Sequence, residues 1–317
     1  MKYYPATILL ASFLLASCGA GKTGGNDPDP YALKAVETMD SVYALYGTDS
    51  TNLLRENYPP DEQYRATYLA SDDADARPNP YSYLWPYSGT LSAMAAIYEA
   101  TGDSSYLQVI DEKVVPGLEH YFDATRTPPA YASYINSAPP SDRFYDDNVW
   151  LGIDFTDLYL ASGRPGYLDK AKLIWNFIES GTDSILGGGI YWCEQKKHSK
   201  NTCSNAPGAV YALKLYQATK NNDLLDKGKA LYHWTKNTLQ DTTDCLYFDN
   251  INLSGNIGKA KYAYNSGQML QAASLLYQIT GDKAYFTDAQ QIARSAYDYF
   301  FNGGTATDTE GDLRLLN

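Results

Sequence analysis

The chain has 317 residues, with 25 basic and 37 acidic side chains and a formal net charge of −12. Lysine and arginine are nowhere clustered densely enough to follow a phosphate backbone, so we exclude nucleic acid as a partner. There are 30 tyrosines against nine phenylalanines. Because a tyrosine ring can stack on the apolar face of a sugar while its hydroxyl stays hydrogen-bonded, this excess is a weak indication of a carbohydrate ligand.

The N-terminus has the features of an export signal. Residues 8–15 form an apolar stretch that is too short to cross a bilayer, and residues 15–19 read Leu-Ala-Ser-Cys-Gly. This run resembles the bacterial lipobox, which makes residues 1–17 a lipoprotein signal peptide and Cys18 the acylated residue. The alternative is an ordinary signal peptide with an incidental cysteine. Residues 18–30 are rich in Gly, Asp and Pro, which predicts a flexible tether.

The resulting location would be the cell envelope, either in the periplasm or at the cell surface. Past the signal peptide, no stretch of the sequence reaches the length of a membrane-spanning helix. We therefore expect the protein to meet the membrane only through its lipid anchor, and to be a monomer.

Residues 31–317 form the predicted catalytic domain, in which one phrase recurs about every sixty residues. The phrase is an aliphatic residue and a tyrosine, then a short polar segment that usually contains glycine, then an aromatic or aliphatic pair. Its tyrosines are Tyr98, Tyr159, Tyr216 and Tyr277. A glycine where one helix stops and a polar cap where the next begins are typical of a tight turn between helices. A repeat of this length holds a helical hairpin.

Apolar periodicity predicts nine helices. Their ranges are 32–47, 87–101, 104–122, 147–162, 166–180, 206–219, 223–239, 264–280 and 283–301. Every second connection is long and rich in Gly, Pro, Asn, Asp and aromatic residues, which is typical of functional loops. These long connections are 58–86, 123–146, 181–205 and 240–263.

This layout predicts an all-α fold, an (α/α)₆ toroid whose long loops gather on one rim at the N-termini of the inner helices. Six hairpins need twelve helices, so with nine present we expect the toroid to be incomplete and its C-terminal helices to be missing. The alternative is a partly open helical array.

The loop before the fourth helix carries two adjacent acids, Asp146 and Asp147, with Tyr145 before them and Trp150 after them. Aspartate is favoured at a helix start simply as a cap. The pair can also do chemistry, because the helix N-terminus favours one ionised carboxylate, whose charge then keeps the other protonated. Glycoside hydrolysis needs one carboxylate in each state. Adjacent residues also reach the short carboxyl separation of a retaining enzyme more easily than the wider inverting gap.

The run from Tyr145 to Leu151 resembles the Asp-Asp signature of glycoside hydrolase family 76, the endo-α-1,6-mannanases. Three further stretches agree with that family: residues 187–192 (Gly-Gly-Gly-Ile-Tyr-Trp), 248–251 (Phe-Asp-Asn-Ile) and 262–267 (Tyr-Ala-Tyr-Asn-Ser-Gly). The resemblance implies an (α/α)₆ barrel, retention of configuration, no metal, and α-1,6-linked mannan as the substrate.

The resemblance also implies roles for single residues. Asp146 would be the nucleophile and Asp147 the general acid/base, while Asp249 would contact the sugar before the cleavage point. The residues expected to line the groove and bind substrate are Tyr191, Trp192 and Asn265, with Trp150 beside the acid pair.

Two other functions fit parts of the sequence. A glycan-binding surface lipoprotein without catalysis would share the anchor, the paired helices and the aromatics, but it would not explain the acid pair. Another toroid enzyme acting on anionic polysaccharides would need basic residues in its cleft, and the long loops hold only a few, chiefly Lys196, Lys197 and Lys200.

Three cysteines remain beyond the lipobox, and outside the cytoplasm a disulfide is permitted. Cys193 and Cys203 would close a short loop after Trp192, although both could equally be free thiols. The histidines and cysteines show no zinc-like spacing, so we expect neither a metal nor a cofactor.

Overall fold

The computed structural model describes residues 29–48, 50–65, 78–135 and 141–301. The predicted signal peptide, Cys18 and nearly all of the predicted tether lie outside the described residues. Within the described ranges, no helix combines the length and the apolar character needed to cross a bilayer.

The described chain is helical, which confirms the all-α prediction. The helices are α1 (Pro30–Tyr46), α2 (Leu84–Thr101), α3 (Ser105–Val109), α4 (Val115–Leu118), α5 (Tyr145–Ser162), α6 (Pro165–Ser180), α7 (Thr202–Thr219), α8 (Asn222–Leu239), α9 (Ala263–Thr280) and α10 (Lys283–Phe300). A π-helical turn, Ile110–Val114, joins α3 to α4, so these two segments form one continuous helix where the sequence predicts one.

The helices form an inner and an outer layer. Helices α2, α5, α7 and α9 pack against one another in that order, while α6, α8 and α10 each lie against the inner helix that precedes them. Helix α7 is buried without interruption from Thr202 to Leu213, because it has inner neighbours on both sides and α8 behind it. The predicted arrangement of helical hairpins is therefore confirmed.

The recurring phrase forms the tight turns between inner and outer helices. Helices α2, α5 and α9 end at glycines in the left-handed conformation, Gly102, Gly163 and Gly281. In each case the cap N–H donates to the carbonyl of the repeated tyrosine four residues earlier. Helix α7 ends in the same way at Lys220, with φ +59°. The third turn thus keeps the shape of the other three without their glycine.

Short strands join the long connections at the other end of the inner helices. Strand β1 (Phe122–Asp123) pairs with β2 (Ala130–Tyr131). Strands β3 (Ser199–Asn201), β4 (Phe248–Asn252) and β5 (Ile257–Lys261) form an antiparallel sheet in that order. The sheet ties the loop before α7 to the loop before α9, so both lie on the rim where α5, α7 and α9 begin.

The inner helices begin earlier than their periodicity predicts. Helix α5 starts at Tyr145 rather than 147, and α7 starts at Thr202 rather than 206. The first turns contain Asp, Thr, Ser and Asn, which compete with the backbone for hydrogen bonds and usually favour caps and loops. Here the first-turn residues of α7 are buried, and tertiary packing overrides that local preference.

Candidate active site

Asp146 lies in the first turn of α5, and one of its oxygens accepts hydrogen bonds from two other elements. Trp192 Nε1 donates to Asp146 Oδ2 at 3.0 Å, and the Cys203 thiol donates to the same oxygen at 3.3 Å. The second oxygen, Oδ1, is buried and has no hydrogen-bond partner among the described residues. The carboxylate is thus fixed through Oδ2, while Oδ1 makes no such contact.

The two carboxyls of the pair differ in their electrostatic surroundings. Burial raises the pKa of Asp146 to about 6, although the hydrogen bonds from Cys203 and Trp192 oppose that rise. Burial also raises the pKa of Asp147 well above its usual value, and the neighbouring charge of Asp146 raises it further. Since like charges this close do not both ionise readily, Asp146 ionises first and Asp147 keeps its proton to higher pH.

The loop that carries Trp192 is attached to the segment leading into α5. The N–H of Tyr145 donates to the Trp192 carbonyl at 2.9 Å, and the N–H of Glu194 donates to the Arg143 carbonyl at 3.0 Å. The rings of Phe144 and Trp192 lie 5.0 Å apart. The hydrogen bond from the indole to Asp146 is therefore supported by backbone contacts on both sides.

A buried arginine fixes this junction. Arg143 is fully buried, and its guanidinium donates to both carboxylate oxygens of Glu194 and to the Pro128 carbonyl. Although burial opposes it, this ion pair holds the pKa of Glu194 below its usual value. The guanidinium also lies over the ring of Phe177. These bonds hold the segment before α5, the loop after Trp192 and Pro128 in one geometry.

Asp249 lies on β4 and reaches the same region from the other side. Its pKa is raised by burial, while a hydrogen bond from Asn250 opposes that rise. The pKa of the Cys203 thiol is raised well above its usual value by burial, and the charges of Asp146 and Asp249 add to the rise. Tyr264, in the first turn of α9, interacts electrostatically with all three. Elements α5, α7, β4 and α9 therefore converge here.

Several buried polar atoms on the inner helices lack a partner within the described part of the chain. They are Asp146 Oδ1, Ser204 Oγ, Gln268 Oε1 and both amide atoms of Asn265. Asn265 is fully buried in the first turn of α9. A buried amide without a hydrogen bond is destabilising, so polar groups of this kind are normally bonded to a bound water or to a ligand.

Of the two aromatic residues predicted after the glycine run, only Trp192 reaches the acid pair by a hydrogen bond. Tyr191 is 2% exposed, and its hydroxyl donates to Asp183 while Lys200 lies over its ring. The prediction that Tyr191 lines the groove needs correction, because its ring has almost no surface to offer a substrate. Adjacent residues of an extended segment point to opposite sides, which explains the difference.

Trp150 lies one turn after Asp146 on the same face of α5 and is half-buried against the main core. Sequence reasoning missed two residues of the site, Cys203 and Tyr264. Both lie within or beside stretches singled out in the sequence, but nothing in their local pattern shows which way they face. Their position follows from the packing of α7 and α9 against α5.

The predicted disulfide is absent, since Cys193 and Cys203 are both free and buried. The thiol of Cys193 contacts Gln195, whereas that of Cys203 contacts Asp146. The prediction was wrong because these two thiols have different partners. No group of three or more His, Cys, Asp or Glu side chains within the described ranges is arranged to hold a metal ion.

Comparison with known proteins places this arrangement in a family. Residues 53–313 match the sequence profile of Glycosyl hydrolase family 76. A structure of a family 76 glycoside hydrolase (mannosidase) from Bacteroides thetaiotaomicron VPI-5482 superposes with a TM-score of 0.75 at 35% identity, covering 85% of this chain and 72% of that one. The structures of this family are (α/α)₆ toroids, so the match confirms the predicted fold.

Two further relatives carry names that bear on function. An inactive variant of an α-1,6-mannanase from Salegentibacter sp., with two consecutive aspartates changed to asparagine and α-1,6-mannotriose bound, has a TM-score of 0.69 at 28% identity, covering 89% of this chain and 76% of that one. A putative mannan endo-1,6-α-mannosidase of Schizosaccharomyces pombe is 24% identical over 238 residues, 69% of this chain and 51% of the relative. The chain thus spans about half the length of that curated relative.

Proposed function

The chain belongs to glycosyl hydrolase family 76, and we propose that it is a retaining glycoside hydrolase that cleaves α-1,6-mannosidic linkages in mannan backbones. The observation that carries this proposal is the adjacent pair Asp146 and Asp147 in the first turn of α5, with one carboxyl ionising before the other. The substrate is proposed from the named relatives, which include mannan endo-1,6-α-mannosidases and a mannanase variant with bound α-1,6-mannotriose.

In this mechanism Asp146 is the nucleophile. Its Oδ2 is held by Trp192 and Cys203, and the unpartnered Oδ1 attacks the anomeric carbon. As the C–O bond to the leaving sugar breaks, the protonated carboxyl of Asp147 gives its proton to the departing oxygen. A mannosyl ester on Asp146 and a free chain end result.

In the second half of the cycle, water replaces the leaving sugar. The carboxylate of Asp147 takes a proton from the water, whose oxygen attacks the anomeric carbon from the side that the leaving group vacated. The ester bond to Asp146 breaks, and the product keeps the configuration of the substrate. Asp147 is protonated again and ready for the next cycle.

The neighbouring polar groups are proposed to hold the sugar. Asp249 and Asn265 would bond to hydroxyls of the mannose in the subsite before the cleavage point, because both lie on the elements that converge on Asp146. Trp192 and Trp150 would supply apolar ring surface beside the acid pair. The relative inactivated by asparagine at two consecutive aspartates supports the same assignment for the pair.

The proposal is tested by following the anomeric protons of the products by ¹H NMR during cleavage of debranched α-1,6-mannan. The expected first product is the α-anomer, which then mutarotates. A β-anomer appearing first would show inversion, and binding of the mannan without cleavage would favour the non-catalytic alternative. β-1,4-Mannan is the matched control and should not be cleaved.

The cellular location is a further part of the proposal. We infer lipid attachment at Cys18 in the cell envelope, on the basis of the lipobox-like run at residues 15–19. Metabolic labelling with an alkyne-bearing fatty acid should mark the wild type and not Cys18→Ala, and only the wild type should fractionate with membranes. Light scattering of the soluble domain should give the mass of a monomer.

A further inference from the structure

We propose that Cys203 is a positioning residue for the reaction: its thiol holds Asp146 by Oδ2, so that the carboxylate stays ionised and presents Oδ1 to the anomeric carbon. The inference rests on the proposed function and deepens it. It assigns a role to a cysteine that the sequence indicated only as a possible disulfide partner.

The geometry is specific because two side-chain donors from separate parts of the chain hold one carboxylate. The Cys203 thiol and the Trp192 indole reach the same oxygen of Asp146 from two separate elements, at 3.3 and 3.0 Å. The other oxygen is buried without a partner in the described part of the chain. Two donors on one oxygen and none on the other fix the rotation of the carboxylate and select which oxygen can react.

The position of the thiol is set by the rim sheet. Cys203 is the second residue of α7 and is 7% exposed. The residue before it, Thr202, is fully buried and donates its hydroxyl hydrogen to the Phe248 carbonyl on β4. Asn201, which immediately precedes α7, pairs with Asn250 on the same strand. The start of α7 is therefore fixed to β4, which fixes the backbone position from which the Cys203 side chain reaches Asp146.

The thiol acts as a donor and not as a nucleophile. Burial and the charges of Asp146 and Asp249 raise its pKa well above the usual range, so Cys203 still holds its proton where Asp146 ionises. A protonated thiol facing an ionised carboxylate stabilises the charged form. Removing the thiol should consequently make Asp146 harder to ionise.

The groups that face Asp146 come from every element around it. They are Asp147 on α5, Cys203 on α7, Asp249 on β4 and Tyr264 on α9, with Trp192 as the uncharged donor. Among the ionisable side chains of this group, only the Cys203 thiol donates a hydrogen bond to Asp146. Its removal should therefore alter the ionisation of this carboxylate directly.

The first test is the pH dependence of kcat/KM for α-1,6-mannan in the wild type, Cys203→Ala and Cys203→Ser. We expect the midpoint of the acid limb to rise by about one to two units in the alanine variant, in line with the loss of one hydrogen bond to a charged group. We expect kcat to fall while KM changes little. Cys203→Ser restores a hydrogen-bond donor to Asp146, so the midpoint of its acid limb should lie closer to that of the wild type. An unshifted limb in Cys203→Ala would overturn the proposal.

Cys193→Ala is the matched control. Cys193 is also buried, but its thiol contacts Gln195 rather than Asp146. Loss of that thiol should leave the acid limb in place. A shift of equal size in both variants would mean that loss of a buried thiol perturbs the loop in general, and it would overturn the specific role.

A second measurement separates this inference from the proposed activity. Carboxyl ¹³C NMR of the wild type and Cys203→Ala reports the titration of Asp146 without any substrate. The midpoint should be higher in the variant, whether or not mannan is cleaved. An unchanged midpoint together with normal mannanase activity would overturn the role of Cys203 and leave the proposed function standing.

Discussion

The indole nitrogen of Trp192 lies 3.0 Å from Oδ2 of Asp146, which joins the loop before α7 to the first turn of α5. Backbone hydrogen bonds hold the loop on both sides of that contact. The glycine run before Trp192 contributes to its placement, because Gly188 and Gly189 pack against the ring of Trp234, where a Cβ on Gly189 would come within 2.7 Å. One loop thus presents a donor to the acid pair and anchors itself on the outer helix α8.

Trp192→Phe removes that donor and keeps most of the ring. Since a hydrogen bond to a charged group contributes about 1.5–3 kcal/mol, kcat/KM should fall by roughly 10-fold to 100-fold, with an upward shift of the acid limb. Steady-state kinetics across pH measure both effects. Trp234→Phe is the control, because its indole donates to the Leu186 carbonyl instead. If the control also shifts the acid limb, then that limb does not report the ionisation of Asp146.

Asp146→Asn and Asp147→Asn should each abolish hydrolysis and leave the fold intact. Asparagine keeps the size of aspartate and its ability to cap a helix, but it can neither attack as a carboxylate nor release a proton. Mannan cleavage measures the loss, and circular dichroism checks the fold. Asp154→Asn, two turns further along α5, is the control for an aspartate on the same helix whose pKa is also raised, to about 7. Full activity of either pair variant would remove that residue from the mechanism.

The acid pair should make the fold less stable as the pH rises. Folding raises the pKa of Asp146 to about 6 and that of Asp147 well above its usual value. The stability linked to the protonated forms is present below the unfolded-state pKa and is lost as the pH rises through the raised values. At about 1.4 kcal/mol for each unit of pKa shift, Asp146 alone should account for about 2–3 kcal/mol.

Urea denaturation of the wild type and of the Asp146→Asn, Asp147→Asn double variant measures this effect. The double variant should gain stability relative to the wild type as the pH rises from about 4, the unfolded-state pKa of aspartate, and the share due to Asp146 should level off above about pH 6. Parallel stability curves over that range would contradict the raised pKa values.

Much of the architecture follows from the sequence, because helix periodicity and the turn phrase are local signals. The phrase around Tyr98 and its three repeats predicted the tight turns, and the long connections predicted which rim they occupy. Local signals could not show that the thiol of Cys203 faces Asp146 instead of pairing with the thiol of Cys193. Nor could they show which of Tyr191 and Trp192 points towards the acids, since this depends on how the loop packs against the elements around it.

The third tight turn offers a test of the repeat itself. Lys220 occupies the left-handed position that glycine takes in the other three turns, and a residue with a Cβ is disfavoured there by about 1 kcal/mol. Lys220→Gly should raise the free energy of unfolding by about 0.5–1 kcal/mol, less whatever the contact of the lysine with the Tyr216 ring contributes. Gly163→Ala is the reciprocal control. It should be destabilising through backbone strain alone, because no atom lies within 4 Å of the added Cβ. Thermal denaturation measures the stability of both variants. If the two substitutions change the free energy of unfolding equally and in the same direction, glycine is not preferred at this position of the turn.

Asn265 should show a conflict between stability and binding. Its amide is fully buried at the start of α9 and has no partner in the described residues, and an unsatisfied buried group costs about 1–3 kcal/mol. Asn265→Ala removes that cost and leaves only a small cavity, so Tm should stay the same or rise. The KM for α-1,6-mannan should nevertheless increase by roughly 10-fold or more, since the amide can no longer bond to a sugar hydroxyl.

Ser266→Ala is the comparison, because that hydroxyl accepts a hydrogen bond from the Tyr247 N–H. Its loss should lower Tm with little effect on KM. If Asn265→Ala instead lowers Tm and leaves KM unchanged, the amide is structural and the ligand site lies elsewhere on the rim.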